Sequence, residues 1–283
     1  MKLYEETKFL MKKYNITANK NLGQNFLIDE KVLENIIQTA EVTENDLIIE
    51  IGPGLGTLTN KLLEKAGKVI AIEIDKKMIE ILNERFYLYK NFTLINEDVL
   101  KININELIKK ENDKNYNVKI VANLPYYITT PIIMKLLEDK LKIENITVMV
   151  QKEVADRLTA VPGEKGTGAI TYCVYYYSQA EETFIVENNS FIPPPKVNSA
   201  VIKLNIRNKP PVELKDEKMF FKIIRLSFMQ RRKTLINGLA NSGIATKEQI
   251  KQILGKIGLS ENIRGEELTI QQFAQISNEI LKL

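Results

Sequence analysis

Two periods of hydrophobic and polar residues alternate through most of this chain. Short, nearly continuous apolar runs occur at Asp46-Leu-Ile-Ile-Glu-Ile51, Lys68-Val-Ile-Ala-Ile-Glu-Ile74, Phe92 to Asn96, Lys119 to Ala122 and Ile146-Thr-Val-Met-Val150. Their length and β-branched content predict buried strands. Between them apolar residues recur at helical spacing over Glu30 to Ala40, Thr57 to Lys65, Lys76 to Phe86 and Thr130 to Leu137. Strands apolar on both faces and alternating with helices predict a mostly parallel sheet covered on both sides. Asp29 and Asp75 stand where N-caps are expected, and Pro131 is placed at the first position of its helix.

The later pattern changes. A helix is expected to begin near Gln151, and Ala169 to Tyr177 reads as a partly buried helix whose tyrosines pack. The loop Pro162-Gly-Glu-Lys-Gly-Thr-Gly168 is either a substrate lid or a surface connection. Strands are expected at Glu182 to Val186 and Val197 to Leu204. They flank Phe191-Ile-Pro-Pro-Pro-Lys196, a stiff extended element. Asn208-Lys-Pro-Pro211 reads as a linker, beyond which every apolar pattern is helical: Met219 to Phe228, Thr234 to Leu239, Lys247 to Ile257 and Thr269 to Leu281. Two domains are therefore expected, residues 1–207 and 208–283. The first twenty residues carry a short helix anchored by Phe9, Leu10 and Tyr14, with Lys8, Lys12 and Lys13 on a solvated face or along a phosphate path.

Composition narrows the chemistry. The 283 residues include no histidine and one cysteine, Cys173. A Ser-His triad, a Cys-His pair, a histidine base and a His-ligated zinc are excluded, as is an intrachain disulfide. A lone cysteine and no apolar run of membrane-spanning length point to the cytoplasm. The net charge of +4 is compatible with nucleic acid.

Candidate ligand positions fall at strand ends, where open α/β sheets bind ligands. Gly52-Pro-Gly-Leu-Gly56 follows the first long strand, with glycine spacing that differs from the dinucleotide-binding fingerprint. Glu73, about twenty residues on, ends the next strand and suits the two hydroxyls of a ribose in a dinucleotide or in S-adenosylmethionine. Asp98 follows the third strand, as a turn former or an acceptor for an adenine amine. Asn123-Leu-Pro-Tyr126 follows the fourth. Pro125 holds Leu124 extended; Asn123 offers an amide oxygen, Leu124 a carbonyl and Tyr126 a flat ring, which together suit a planar base with an exocyclic amine. The same residues also make a polar turn capping a strand. Phe191 either presents a second ring or lies in the core. The segment before Asp29 places Asn25 and Leu27 over a ligand or in an ordinary loop. Arg225, Arg231, Arg232 and Lys233 form the densest basic cluster, a solvated face or a phosphate contact.

Five motifs in order carry a resemblance: Asn21-Leu-Gly-Gln-Asn-Phe-Leu27, Glu50-Ile-Gly-Pro-Gly-Leu-Gly56, Asn123-Leu-Pro-Tyr126, Phe191-Ile-Pro-Pro-Pro-Lys-Val-Asn-Ser199 and Gln230-Arg-Arg-Lys-Thr234. With the helical tail and Arg264-Gly-Glu-Glu-Leu-Thr269, the chain from Asn21 onward resembles the ribosomal RNA small subunit adenine dimethyltransferase family. The resemblance implies a Rossmann-like class I S-adenosylmethionine methyltransferase sheet with a small C-terminal all-helical domain. It implies N6-dimethylation of two adjacent adenosines in a hairpin loop near the 3′ end of small-subunit ribosomal RNA, within a subunit assembly intermediate. By the same resemblance Asn25, Leu27, Gly52, Glu73, Asp98 and Asn123 hold the cofactor. Asn123, Leu124, Pro125, Tyr126 and Phe191 grip the base, no metal is needed, and a monomer is expected. The rival readings are a large-subunit adenine methyltransferase of the macrolide-resistance type, whose motif has isoleucine in place of Leu124, a non-catalytic assembly factor, and a nicotinamide-dependent oxidoreductase.

Overall fold

A computed structural model describes residues 2–18 and 23–283. Asn21 and Leu22 of the first motif lie outside the described residues. The chain forms two compact units, Met1–Ala155 with Ala180–Ile206, and Asp156–Gln179 with Arg207–Leu283.

The first unit is built on a sheet. In chain order its elements are α1 (Leu3–Lys13), β1 (Phe26–Leu27), α2 (Glu30–Thr39), β2 (Asp46–Ile51), α3 (Thr57–Lys65), β3 (Lys68–Glu73), α4 (Lys76–Phe86), β4 (Phe92–Asn96), α5 (Ile104–Glu111), β5 (Asn117–Asn123), α6 (Thr129–Glu138), β6 (Asn145–Gln151), with α7 (Lys152–Thr159) leading out of it. After α8 (Ala169–Tyr177) come β7 (Ser178–Val186), β8 (Phe191–Ile192) and β9 (Ser199–Ile206). The sheet order is β4-β3-β2-β5-β6-β9-β7. β2 pairs in parallel with β3 and β5, as β3 does with β4 and β5 with β6; β9 runs antiparallel to β6.

The central strands are here because they bury both faces: every residue of β2 is buried, including Asp46 and Glu50, whereas β4 at the sheet edge is only partly buried. The core between sheet and helices gathers Leu33 and Ile36 of α2, Leu62 of α3, and Leu82 and Phe86 of α4. Asp29 caps α2 by accepting from Lys31 and Val32 N–H, and Asp75 caps α4 by accepting from Lys77 N–H. Two expectations need amendment. Helix α5 has no counterpart among the elements expected from sequence; its apolar stripe is short, Ile104, Leu107 and Ile108 behind the Asn103 cap, and only Ile104 is buried. Pro131 is the third residue of α6 rather than the first; no hydrogen bond is forfeited, since the first four N–H groups of a helix have no partner within it.

In the second unit α9 (Glu217–Met229), α10 (Leu235–Ala240), α11 (Lys247–Lys256) and α12 (Ile270–Ile280) assemble with α8. The tyrosines of α8 pack as expected: Tyr172 stands edge-on to Phe273 at 5.0 Å, and Tyr176 edge-on to Phe221 at 5.2 Å. The Tyr172 hydroxyl donates to the Leu268 carbonyl at 2.6 Å. Loop 162–168 is pinned to the same segment, with Thr167 fully buried and its hydroxyl donating to the Glu266 carbonyl. Residues 156–179 thus group with the C-terminal helices although they precede the last strands in sequence. Among the described residues no helix is long and apolar enough to cross a membrane.

Candidate active site

The carboxyl ends of β2, β3, β4 and β5 open on one cavity of the first unit, whose empty space, open solvent included, is about 1080 Å³. It is lined by Asn25, Leu27, Gly52, Glu73, Asp98, Asn123, Leu124, Pro125 and Tyr126. All of these were picked out from sequence, and the sheet topology is what joins them. Parallel pairing of β2 with β3 and β5 sets Gly52, Glu73 and Asn123 side by side at the ends of neighbouring strands.

Gly52 follows β2 with φ +68°, a conformation that costs little only for glycine. Gly56, at φ +80°, has a different reason. A Cβ there would lie 2.6 Å from the Phe86 ring and 2.8 Å from Leu82, so this glycine serves the packing of α4 rather than a ligand. Glu73 is held rigidly: its Oε1 accepts from the Ile74 and Asp75 N–H groups, both at 2.9 Å, and its Oε2 from Gly54 N–H at 3.2 Å. Burial pushes its carboxyl above the usual range, with the N–H groups of Asp75, Gly54 and Ile74 pulling the other way. Asp98 spends Oδ1 on its own turn, accepting from Leu100 N–H at 3.0 Å.

Roofing the cavity, the segment Gly23–Leu27 is fastened at several points. Gln24 Nε2 donates to Asp75 Oδ2 at 3.1 Å. Asn123 Nδ2 donates to the Asn25 carbonyl at 3.4 Å. β1 pairs with β8, placing Leu27 opposite Phe191.

On the other side, Leu124 N–H continues the sheet by donating to the Met149 carbonyl. The Pro125 carbonyl accepts from Ile128 N–H and Thr129 Oγ1. Among the described residues the Leu124 carbonyl takes no hydrogen bond, and the Asn123 amide, its nitrogen engaged, presents an oxygen. Tyr126 is half-buried, and its hydroxyl shares a 2.6 Å hydrogen bond with Ser199 Oγ. Burial raises the phenol above its usual range, and the bond from Ser199 opposes the rise.

Phe191 does not stand with these residues. It is 2% exposed, sits in the hydrophobic core and does not line the cavity. Its pairing with β1 turns the ring inward, so the proline-rich element does not present it to a base in this conformation. In the second unit Arg231 is engaged, donating to the Thr167 carbonyl at 2.6 Å and facing Glu266 at 3.5 Å. Arg225, Arg232 and Lys233 are exposed.

Sequence reasoning passed over four residues. Gln24 and Tyr127 line the cavity; Ser199 lies 73 residues from Tyr126 and carries no local signal. Glu50 had a signal, being an acid inside an otherwise apolar strand. It is 1% exposed and lines the cavity, and among the described residues its Oε2 makes no hydrogen bond of ordinary geometry. Burial pushes its carboxyl up to about 8; the neighbouring Thr59 hydroxyl, at the margin of hydrogen-bond geometry, opposes this, and the nearby Glu73 carboxylate adds to it.

A family model described as ribosomal RNA adenine dimethylase matches residues 15–282. The chain belongs to the ribosomal RNA adenine dimethylase family. It is 50% identical over 279 residues to "Ribosomal RNA small subunit methyltransferase A" of Lachnoclostridium phytofermentans, covering 98% of this chain and 96% of that one. It is 49% identical over 272 residues to the protein of that name from Clostridium botulinum, with 96% and 97% covered. Among solved structures, a dimethyladenosine transferase from Plasmodium falciparum is similar at TM-score 0.72 and 26% identity, covering 89% of this chain and 95% of that one. The 23S rRNA methyltransferase ErmE is similar at 0.66 and 25% identity, with 90% and 99% covered.

The cofactor of such a dimethylase is S-adenosylmethionine, and the residues present fit it. Glu73 offers a fixed carboxylate for vicinal hydroxyls. Glu50 offers a buried acceptor without a donor, where a cationic amine would be welcome. The glycine turn after β2 leaves the backbone bare.

Proposed function

We propose that this protein dimethylates the N6 amines of two adjacent adenosines in a hairpin loop near the 3′ end of small-subunit ribosomal RNA, during cytoplasmic subunit biogenesis and as a monomer. The observation that carries the reading is the juxtaposition of two acceptors, Asn123 Oδ1 and the Leu124 carbonyl, with the Tyr126 ring on the cavity that Glu73 closes.

Bound there, S-adenosylmethionine supplies an electrophilic methyl group. Glu73 would hold its ribose, Asp98 would accept from its adenine amine, Gly52 and the backbone around Asn25 and Leu27 would line it, and Glu50 would accept from its amino group. An adenine amine is a poor nucleophile because its lone pair is delocalised into the ring. Asn123 Oδ1 and the Leu124 carbonyl each accept a hydrogen bond from the amine in the first transfer, and one of them does so in the second, favouring the pyramidal nitrogen that attacks. The Tyr126 ring grips the base face after extrusion from the loop. Once alkylated the nitrogen is acidic and yields its proton to solvent, so a chain without histidine suffices. Positioning supplies much of the acceleration. In the second unit Arg225, Arg232 and Lys233 contact RNA phosphates, and the division of labour follows the two units.

Identities near 50% to proteins named for the small subunit support this substrate over the large-subunit one, where the similarity to ErmE is 25%. Labelled-methyl transfer to undermethylated small subunits, with the modified nucleosides mapped by primer extension on both ribosomal RNAs, is the test. Dimethyladenosine in large-subunit RNA alone, or no transfer, would overturn it.

A further inference from the structure

Tyr127 is an aromatic residue at the cavity that the chemistry above leaves without a task. It is 57% exposed and lines the same cavity as Asn123 and Tyr126. Isolated exposed aromatics are common on protein surfaces. Tyr4, Phe9, Tyr87 and Tyr89 are exposed in this chain too, but among the described residues Tyr127 is the only exposed ring that lines the cavity. Its direction is fixed from both sides. Pro125 precedes it, the Ile128 N–H closes the turn onto the Pro125 carbonyl at 3.2 Å, and α6 begins at Thr129. On its inner edge the backbone of Gly23 lies so close that a Cβ there would stand 3.3 Å from Tyr127 Cδ1. The ring takes part in no hydrogen bond or ring contact among the described residues, so its outer face meets solvent at the mouth.

We propose that Tyr127 forms a second nucleobase subsite, on which the base adjoining the target adenosine stacks while Tyr126 holds the target inside. This rests on the single-stranded RNA substrate proposed above. Consecutive residues of one rigid turn, one ring half-buried in the cavity and the next exposed at its mouth, match consecutive bases of one strand, the first extruded and the second left outside. Stacking on an aromatic ring is tolerant of base identity and is worth a large share of the affinity for a single strand.

The probe is a dinucleotide of adenosine and 2-aminopurine, titrated into protein saturated with S-adenosylhomocysteine and followed by 2-aminopurine fluorescence. Quenching is expected in the wild type and in Tyr127→Phe. In Tyr127→Leu, which keeps apolar bulk without a ring, quenching should vanish and the dissociation constant rise about tenfold. S-adenosylhomocysteine binding should stay within twofold in all three, which also shows that the variants fold. Equal quenching in Tyr127→Leu, or equal loss in Tyr127→Phe, would overturn the subsite. Methyl transfer to undermethylated small subunits is measured alongside. Wild-type transfer with a dinucleotide response indifferent to Tyr127 removes the subsite and leaves the proposed function standing. A response that depends on Tyr127, with no methyl reaching small-subunit RNA, does the reverse.

Discussion

The Tyr126 hydroxyl and Ser199 Oγ are 2.6 Å apart, joining the turn after β5 to the first residue of β9. Leu124 N–H fastens the other end of the same turn to β6, so the Tyr126 ring is tied at backbone and tip. Ser199 is fully buried and acts through Tyr126. Ser199→Ala should lower kcat about fivefold, the worth of one ordinary hydrogen bond, with KM for the cofactor unchanged. Tyr126→Phe should do the same, and the double variant should be no worse than either single one, as expected when two changes break one interaction. Additive losses in single-turnover assays would show that Ser199 acts elsewhere.

Glu73 concentrates three backbone N–H donors on one carboxylate. Replacing an oxygen by an NH2 group turns an acceptor into a donor facing donors. Glu73→Gln should therefore weaken cofactor binding by about 2 kcal/mol, roughly thirtyfold. Calorimetric titration with S-adenosylhomocysteine reads it directly; an unchanged dissociation constant would remove Glu73 from the cofactor site.

Glu50 makes the cofactor-free protein sensitive to pH. Its carboxyl titrates at about 8 when folded against 4.5 in the open chain, chiefly because burial penalises the charge. The fold therefore favours the protonated form. The stability it lends is complete below pH 4.5 and is lost progressively as pH rises toward 8. Glu50→Gln, neutral throughout, should match the wild type near pH 4.5 and exceed its melting temperature by several degrees at pH 8. A parallel pair of melting curves across that range would refute the assignment.

Arg232 and Lys233 project from the turn between α9 and α10 and are exposed, whereas Arg231 is spent on Thr167 and Glu266. Arg232→Ala with Lys233→Ala should reduce the salt slope of RNA binding by about 2 and leave cofactor affinity intact. Arg231→Ala should also lower the melting temperature, because a carbonyl loses its donor. Filter binding at a series of salt concentrations, with thermal melts, separates the two.

The strands and helices around the cavity were legible because each is written in a local period. β2, α3, α4 and β4 have the bounds their apolar spacing predicts. The cavity residues were legible because ligand chemistry gathers at strand ends, a rule about parallel sheets in general. Contacts between distant segments were not. Nothing near Ser199 announces Tyr126, and nothing near Phe191 announces that pairing with β1 buries its ring. Helix α5 was missed because its apolar stripe is only Ile104, Leu107 and Ile108 in eight residues, and residues 156–179 join the C-terminal helices through contacts such as Tyr172 to Leu268 that no local pattern encodes.

The 3.4 Å hydrogen bond from Asn123 Nδ2 to the Asn25 carbonyl has a consequence for discrimination between purines. With its nitrogen committed, the side chain can turn only lone pairs toward the incoming edge, and the Leu124 carbonyl has nothing else to offer. A purine bearing a keto oxygen at position 6 would bring lone pairs against lone pairs, which is a rejection built by repulsion rather than by shape. Inosine substituted for the target adenosine in a loop otherwise unchanged is the direct check, and it should be excluded even though it fills the same volume.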